Sequence, residues 1–270
     1  MDASCIEFLQ WALPRLGLRW AGFRRLRRLV CKRLGQRLRE LGLADLAAYR
    51  SRLEGHPGEW REFDSLCLIP ISRFYRDRDV FEALERDVLP ALAAAATDEG
   101  REALACWSAC CASGEEPYTL AILWQLRLGH RFPRLHVLAT DIDPRLLDRG
   151  RAGCYRASSL KALPAELLAE AFVPRGGQWC VHEQLRCVEF RQQDIRQSVP
   201  DEKFDLVLCR NAVLTYFSPE LQRKVMAQVV ATLHPGGALV IGIHEKLPDG
   251  LAGLEPWNEK RAIYRKPCDA

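Results

Sequence analysis

Nowhere does the sequence hold the roughly 20 consecutive apolar residues that a membrane-crossing helix requires, which argues against insertion into a bilayer. The N-terminus, MDASCIEFLQWALPR, lacks the basic start, apolar centre and small-residue cleavage site of a secretory leader. Both absences place the chain in the cytoplasm. Cys-x-x-Cys does not occur, and no Cys/His set has zinc-ligand spacing. The eleven cysteines are odd in number and scattered over 270 residues, which argues against a disulfide framework. Cys110–Cys111 is their only cluster, read as small apolar filler or as a thiol site. Repeats and low-complexity linkers are missing as well. A net charge of +4 is too mild to imply nucleic acid.

The composition that remains, 48% hydrophobic and 27% charged, is that of a globular chain able to bury a core. The positive charge is uneven. Arg19, Arg24, Arg25, Arg27, Arg28, Lys32, Arg33, Arg37 and Arg39 fall within 21 residues, threaded by Phe23, Leu26, Val30, Leu34, Leu38 and Leu41. Spacings of three and four place those apolar residues on one face of a helix. The basic remainder is a solvated surface or a patch for an acidic partner. RNA or DNA is the weakest reading, because no nucleic-acid fold signature accompanies it. A second helix is expected over Leu43–Leu53, stopped by His56-Pro57-Gly58. Residues 1–80 therefore read as a small basic helical domain.

Beyond about residue 100, short apolar runs alternate with amphipathic segments. Strands are expected at 103–107, 135–140, 204–209, 238–243 and 262–265, with helices at 115–128 and 144–151 and one opened by Ser218-Pro219. His234-Pro235-Gly236-Gly237 reads as that helix's stop. This alternation implies an α/β fold: a mostly parallel sheet, helices on both faces, filling 81–270. Residues 173–190 break the pattern and read as a small antiparallel β insertion.

Ligands of such sheets bind at the carboxyl ends of the strands. The turn after the first strand, Ser108 to Tyr118, is built of small residues but is not Gly-x-Gly-x-x-Gly. Glu115 and Glu116 open its helix, where two fixed negative charges repel a pyrophosphate. A cofactor carrying positive charge and hydroxyls suits the turn better, and S-adenosylmethionine is one. Asp141, ending the second strand, is placed to accept hydrogen bonds from ribose hydroxyls or to cap the next helix. The cap falls more naturally to Asp143.

WSACCASGEEPYTL (107–120), ATDIDPRLLDRGRAGCY (139–155), FDLVLCRNAVLTYFSPELQ (204–222), HPGGALVIGIHEKLP (234–248) and SRFYRD (72–77) closely resemble the CheR-type (chemotaxis receptor) methyltransferases over nearly the whole chain. The resemblance implies methyl transfer from S-adenosylmethionine, leaving S-adenosylhomocysteine, to a glutamate side chain of a receptor. It implies a class I (Rossmann-like) methyltransferase sheet behind an N-terminal helical domain, and a three-stranded β insertion that docks a receptor peptide. It also implies roles. Ser72 keeps a hydroxyl beside the cofactor, and Arg76 neutralises the cofactor carboxylate. Ala109 and Glu115 contact its methionyl part, and Asp141 holds its ribose. Asp194 and Ile195 lie beside the adenine, and Arg210 and Asn211 line the cleft. Tyr216 aims its hydroxyl at the transferring methyl.

No metal is implied, since a glutamate acceptor with pKa of about 4.3 is already ionised at neutral pH. Arg76 and Arg210 are then candidates for steering that carboxylate, or strand-end arginines that bind only backbone carbonyls. Tyr216 is a catalytic hydroxyl or a core aromatic. Departures from the family cluster on the substrate side. Ile69-Pro70-Ile71-Ser72 stands for Thr-Asn-Glu-Thr, and His244 stands for a Ser. His244 as a base would suit a small-molecule or other non-carboxylate acceptor. A cofactor-sensing module without catalysis is a further alternative, opposed by the retained site residues.

Overall fold

The computed structural model describes residues 2–129 and 134–268. The chain divides into two compact units, residues 1–69 with 213–222, and residues 70–212 with 223–270. The boundary thus falls at 69/70 rather than at 80, and SRFYRD belongs to the second unit.

The first unit is helical: α1 (Asp2–Ala12), α2 (Trp20–Phe23), α3 (Arg27–Leu41), α4 (Leu46–Gly55) and α5 (Glu59–Cys67). The single basic helix expected from the 19–39 spacing is two helices. Its apolar stripe survives the break, with Phe23, Val30 and Leu34 fully buried. Asp45 caps α4 by accepting a hydrogen bond from the Ala48 N–H, and His56 ends that helix. Under α4 and α5 lies a buried carboxylate. Glu59 accepts both arms of Arg37, at 2.9 and 3.0 Å, and the Tyr49 hydroxyl at 2.9 Å. Those partners hold the Glu59 carboxyl below its usual range against the opposing effect of burial.

The second unit carries a seven-stranded sheet of order β6-β2-β1-β7-β8-β10-β9. Its strands are β1 (Ala103–Ala109), β2 (Arg134–Asp141), β6 (Val188–Gln192), β7 (Phe204–Leu208), β8 (Leu233–Val240), β9 (Glu255–Asn258) and β10 (Ile263–Arg265). The strands from β6 to β8 pair in parallel, and β10 runs antiparallel to β8. The uniformly buried run of β7 is what a strand covered on both faces needs. Helices α6 (Arg78–Ala83), α7 (Leu89–Asp98), α8 (Glu115–Leu123), α9 (Pro144–Ala152) and α10 (Ala165–Ala171) belong to this unit. A one-turn helix, α11 (Val213–Tyr216), precedes α12 (Pro219–Ala231). A 3-stranded antiparallel sheet of order β3-β5-β4 uses Cys154–Tyr155, Gln178–Val181 and Phe172–Arg175.

Three expectations are corrected here. The insertion sheet is 154–155 with 172–181, because Val188–Gln192 pairs in parallel with β2 at the main sheet's edge. His234–Gly237 is strand rather than helix stop, since β8 already begins at Leu233 and a bulge opposite Phe204–Leu206 absorbs the extra residues. Gly237 is required there: a Cβ would lie 2.9 Å from the His234 carbonyl oxygen and 3.1 Å from that of Asp205. Cysteines are also bonded, Cys5 to Cys31 between α1 and α3, and Cys154 to Cys180 across β3 and β5. Helix packing and strand register bring these pairs together, and sequence spacing does not show it. No described helix is long and apolar enough to cross a membrane.

Candidate functional site

The carboxyl ends of β1, β2 and β7 gather the site in the second unit. Strand β1 ends at Ala109, fully buried, and the chain then turns through Cys110 (φ 55°), Ala112 (φ 50°) and Gly114 (φ 89°) before α8 begins. Two left-handed non-glycine residues in three positions is a strained turn, of the kind that accompanies ligand sites. It is held from below by Asp141, whose Oδ2 accepts the Ala112 N–H at 2.8 Å while Oδ1 accepts that of Asp143 at 3.0 Å. Burial raises the Asp141 carboxyl above its usual pKa in spite of those bonds. Asp143 takes the capping role, accepting from the Arg145 N–H at 3.0 Å. Its carboxyl is held low by the Arg145 side chain.

Glu115, at the first position of α8, is only 2% exposed. The Ser113 hydroxyl reaches both of its oxygens at 3.0 Å, and the Ser72 hydroxyl also hydrogen-bonds it. Arg149 acts on it only as a distant charge, and no salt bridge neutralises it among the described residues. Burial therefore raises its carboxyl pKa. A buried carboxylate held by two hydroxyls, with no salt bridge among the described residues, is chemically suited to an ammonium group. Glu115 and Asp141 together fit a ligand with an ammonium group and a diol, which is the donor set of S-adenosylmethionine.

Around the rim, Asp194 and Ile195 follow β6. The Asp194 carboxylate is clasped by the Arg196 guanidinium at 2.9 Å, and Ile195 is buried. Asn211 follows β7 with φ 57°, its N–H donating to Glu245 Oε2 at 2.9 Å. Glu245 also accepts the Gly242 N–H at 2.7 Å. That carboxylate, not assigned by sequence reasoning, ties the ends of β7 and β8 together. Arg76 is half-buried and donates to the Ile71 carbonyl at 3.1 Å. Arg210 lies nearby, but its side chain is 1% exposed and already paired to Asp77 at 2.7 Å and Glu116 at 3.0 Å. Sequence reasoning left Asp77 without a role and read Glu116 only as a charge opposing a pyrophosphate, not as a partner of Arg210.

Ser72, Arg76, Ala109, Glu115, Asp141, Asp194, Ile195, Arg210 and Asn211 thus all belong to the second unit. Tyr216 belongs to the first, where its ring lies 5.1 Å from that of Phe23. His244 is exposed, in a turn beyond the end of β8 at Val240 rather than directly after a strand, with no hydrogen-bond partner among the described residues.

Burial disfavours the thiolate form of the cysteines in the turn. Burial, reinforced by Asp141, Asp194 and Glu116, pushes the Cys110 thiol far above its usual pKa. Cys111 and Cys209 are raised the same way. Thiolate is the reactive form. Because Cys110 holds φ 55°, Cys110→Gly relieves a left-handed strain of about 1 kcal/mol. The variant is expected to raise the urea midpoint and to leave ligand affinity unchanged or improved. A lowered midpoint would show that the thiol's packing outweighs the strain.

Residues 71–261 match the CheR methyltransferase, SAM binding domain. The chain belongs to the CheR methyltransferase family. It is 33% identical over 253 residues to the chemotaxis protein methyltransferase of Escherichia coli, spanning 90% of this chain and 84% of that protein. A chemotaxis protein methyltransferase of Listeria monocytogenes is 36% identical over 187 residues, 69% of each chain. Chemotaxis protein methyltransferase 1 of Pseudomonas aeruginosa is 34% identical over 229 residues, 81% of this chain and 82% of that one. This CheR-type chain is an S-adenosylmethionine-dependent methyltransferase.

Proposed function

We propose that this chain methylates glutamate side chains of a chemotaxis-type receptor in the cytoplasm. The observation that carries the reading is its likeness to the Escherichia coli chemotaxis protein methyltransferase across 90% of the chain. The sheet unit supports it, with Glu115 and Asp141 in place as buried acceptors. S-adenosylmethionine, when bound, supplies an electrophilic methyl group on a sulfonium centre.

The chain's own residues divide the remaining work. Glu115 binds the ammonium group, Asp141 the ribose hydroxyls, Arg76 the carboxylate, and Ala109 and Ser72 leave room for the methionyl part. Ile195 offers an apolar wall to the adenine, with Asp194 beside it, and Asn211 lines the cleft. The resemblance to the family assigns the Tyr216 hydroxyl to the transferring methyl group. A glutamate acceptor arrives ionised, so positioning and charge matching suffice. Exposed His244 has no carboxylate partner to orient it among the described residues, which counts against an acceptor that needs deprotonation. Arg210 does not steer the acceptor: with Asp77 and Glu116 it forms a group of net negative charge.

The basic helices supply the docking face. Arg33 is tied to the carbonyls of Leu66 and Leu68, Arg19 to that of Thr215, and Arg37 to Glu59. Arg24, Arg25, Arg28, Lys32 and Arg39 stay exposed and face an acidic receptor helix. Labelled methyl transferred to receptor is expected to leave as methanol in mild alkali, because esters hydrolyse where N- and S-methyl groups persist. Alkali-stable label would overturn the reading. Receptor binding should weaken steeply between 50 and 300 mM salt if that face docks the partner, and a flat salt response would remove it from the interface.

A further inference from the structure

Residues 74–77 enter the sheet unit as four consecutive side chains with four different fates. Phe74 is fully buried, edge-on to Tyr155 at 4.8 Å and Phe172 at 5.1 Å, with its N–H on the Ser159 carbonyl. Tyr75 is buried at φ 55°, stacked on Phe81 at 5.4 Å, with its N–H on the Thr119 hydroxyl. Asp77 sits at φ 60°. Two left-handed non-glycine residues so close together persist only where their surroundings fix them. Asp77 opens α6 from the capping position, yet its carboxylate makes no capping bond. It turns instead to Arg210. Arg76 is half-buried, and its side chain donates only to the Ile71 carbonyl, at 3.1 Å.

Arg210 stands at the centre of this arrangement. Nη2 donates to the Asp77 carboxylate at 2.7 Å and to the Arg76 carbonyl at 3.0 Å, and Nη1 donates to Glu116 Oε2 at 3.0 Å. Glu116 in turn accepts the Ser108 hydroxyl at 2.8 Å. The guanidinium lies 5.3 Å from the centre of the Phe81 ring. One buried cation thus joins the end of β1, the first turn of α8, the end of β7 and the backbone of Arg76. A rigid guanidinium fork suits this bridging, and a lysine ammonium does not reproduce it.

We infer that Arg210 is a positioning residue, not a ligand: it locks the strained backbone at 76–77 so that the Arg76 side chain is presented to the carboxylate of the cofactor. The inference rests on the proposed role of Arg76 as that carboxylate's counter-ion. Arg210 acts on the cofactor only through Arg76.

A double-mutant cycle tests this. Arg210→Lys keeps a charge but loses the bridge. Asp77→Asn, at a side chain 17% exposed, loosens the same bridge and preserves the fold if Arg210→Lys does not. Each is expected to weaken S-adenosylhomocysteine binding in calorimetry about 10-fold. Each should also speed hydrogen exchange of the amides at 75–78. In the Arg76→Ala background the further loss should shrink to within about twofold. Equal losses in both backgrounds would mean that Arg210 touches the ligand itself and would overturn the inference, as would unchanged exchange in both variants. Failure of the parent protein to bind S-adenosylhomocysteine would instead refute the proposed cofactor roles, and the exchange measurement would still decide whether Arg210 fixes the loop.

Discussion

Asp141→Ala is expected to bind S-adenosylhomocysteine at least about 100-fold more weakly than the parent protein, with little change in thermal midpoint. The carboxylate is 9% exposed at the end of β2, where register sets it beside Gln192 of β6. Its oxygens accept the backbone N–H groups of Ala112, at 2.8 Å, and Asp143, at 3.0 Å, with Ile142 adding a further backbone hydrogen bond. A ribose diol supplies two hydroxyl donors. Hydrogen bonds to a charged group contribute about 1.5–3 kcal/mol each, and about 1.4 kcal/mol is tenfold in affinity, so losing both exceeds two orders of magnitude. Stability responds differently because two effects oppose. The Ala112 and Asp143 N–H groups lose their acceptor, but a buried charge whose pKa burial has raised is removed as well. Asp141→Asn is not a conservative control: one oxygen becomes an NH2 facing a backbone donor, so its affinity should fall almost as far. Calorimetric affinity within threefold of the parent for Asp141→Ala would remove the ribose role.

Much of the sheet was legible because its signals are local. Buried runs such as Phe204–Leu208 read as strands, and Asp143-Pro144 announced a helix start that the structure places at Pro144. The proposed site residues were chosen at strand ends for a topological reason, since parallel sheets gather ligands at their carboxyl edge. Failures occurred where distant chain decides. The guanidinium of Arg210 read as a steering group because its partners, Glu116 and Asp77, lie 94 and 133 residues away. The paired cysteines were invisible for the same reason. Residues 188–190 looked like part of the insertion because β-type residues follow the Gly176-Gly177 turn, and local sequence does not show that their pairing partner is β2. His234–Gly237 carried a helix-stop signature that a β-bulge uses equally well, Gly236 at φ 78° included.

Glu115 gives the prediction with the clearest pH signature. Burial raises its carboxyl pKa in the ligand-free protein, outweighing the Ser113 and Ser72 hydroxyls and the charge of Arg149, which makes no salt bridge with it among the described residues. A raised folded-state pKa means that this group's contribution to stability is complete below the unfolded value of about 4.3 and is lost as pH rises through the folded value. Ligand binding runs the other way. An ammonium group beside Glu115 favours the ionised carboxylate, so binding draws off a proton wherever the free protein still holds one. Affinity for S-adenosylhomocysteine should therefore climb with pH up to the raised pKa of the free protein and level off above it. Proton release should appear in that window as a dependence of calorimetric heat on buffer ionisation enthalpy. Glu115→Gln keeps the Ser113 and Ser72 hydroxyls supplied with an acceptor, so it should fold and be at least as stable as the parent near pH 7. The same substitution removes the charge that attracts the ammonium, and in so buried a site that costs on the order of 100-fold in affinity. Its remaining binding should lose the part of the pH dependence and proton release that Glu115 contributes. Retention of the parent's full pH profile in Glu115→Gln would assign the titration to another group and leave the ammonium without its proposed partner.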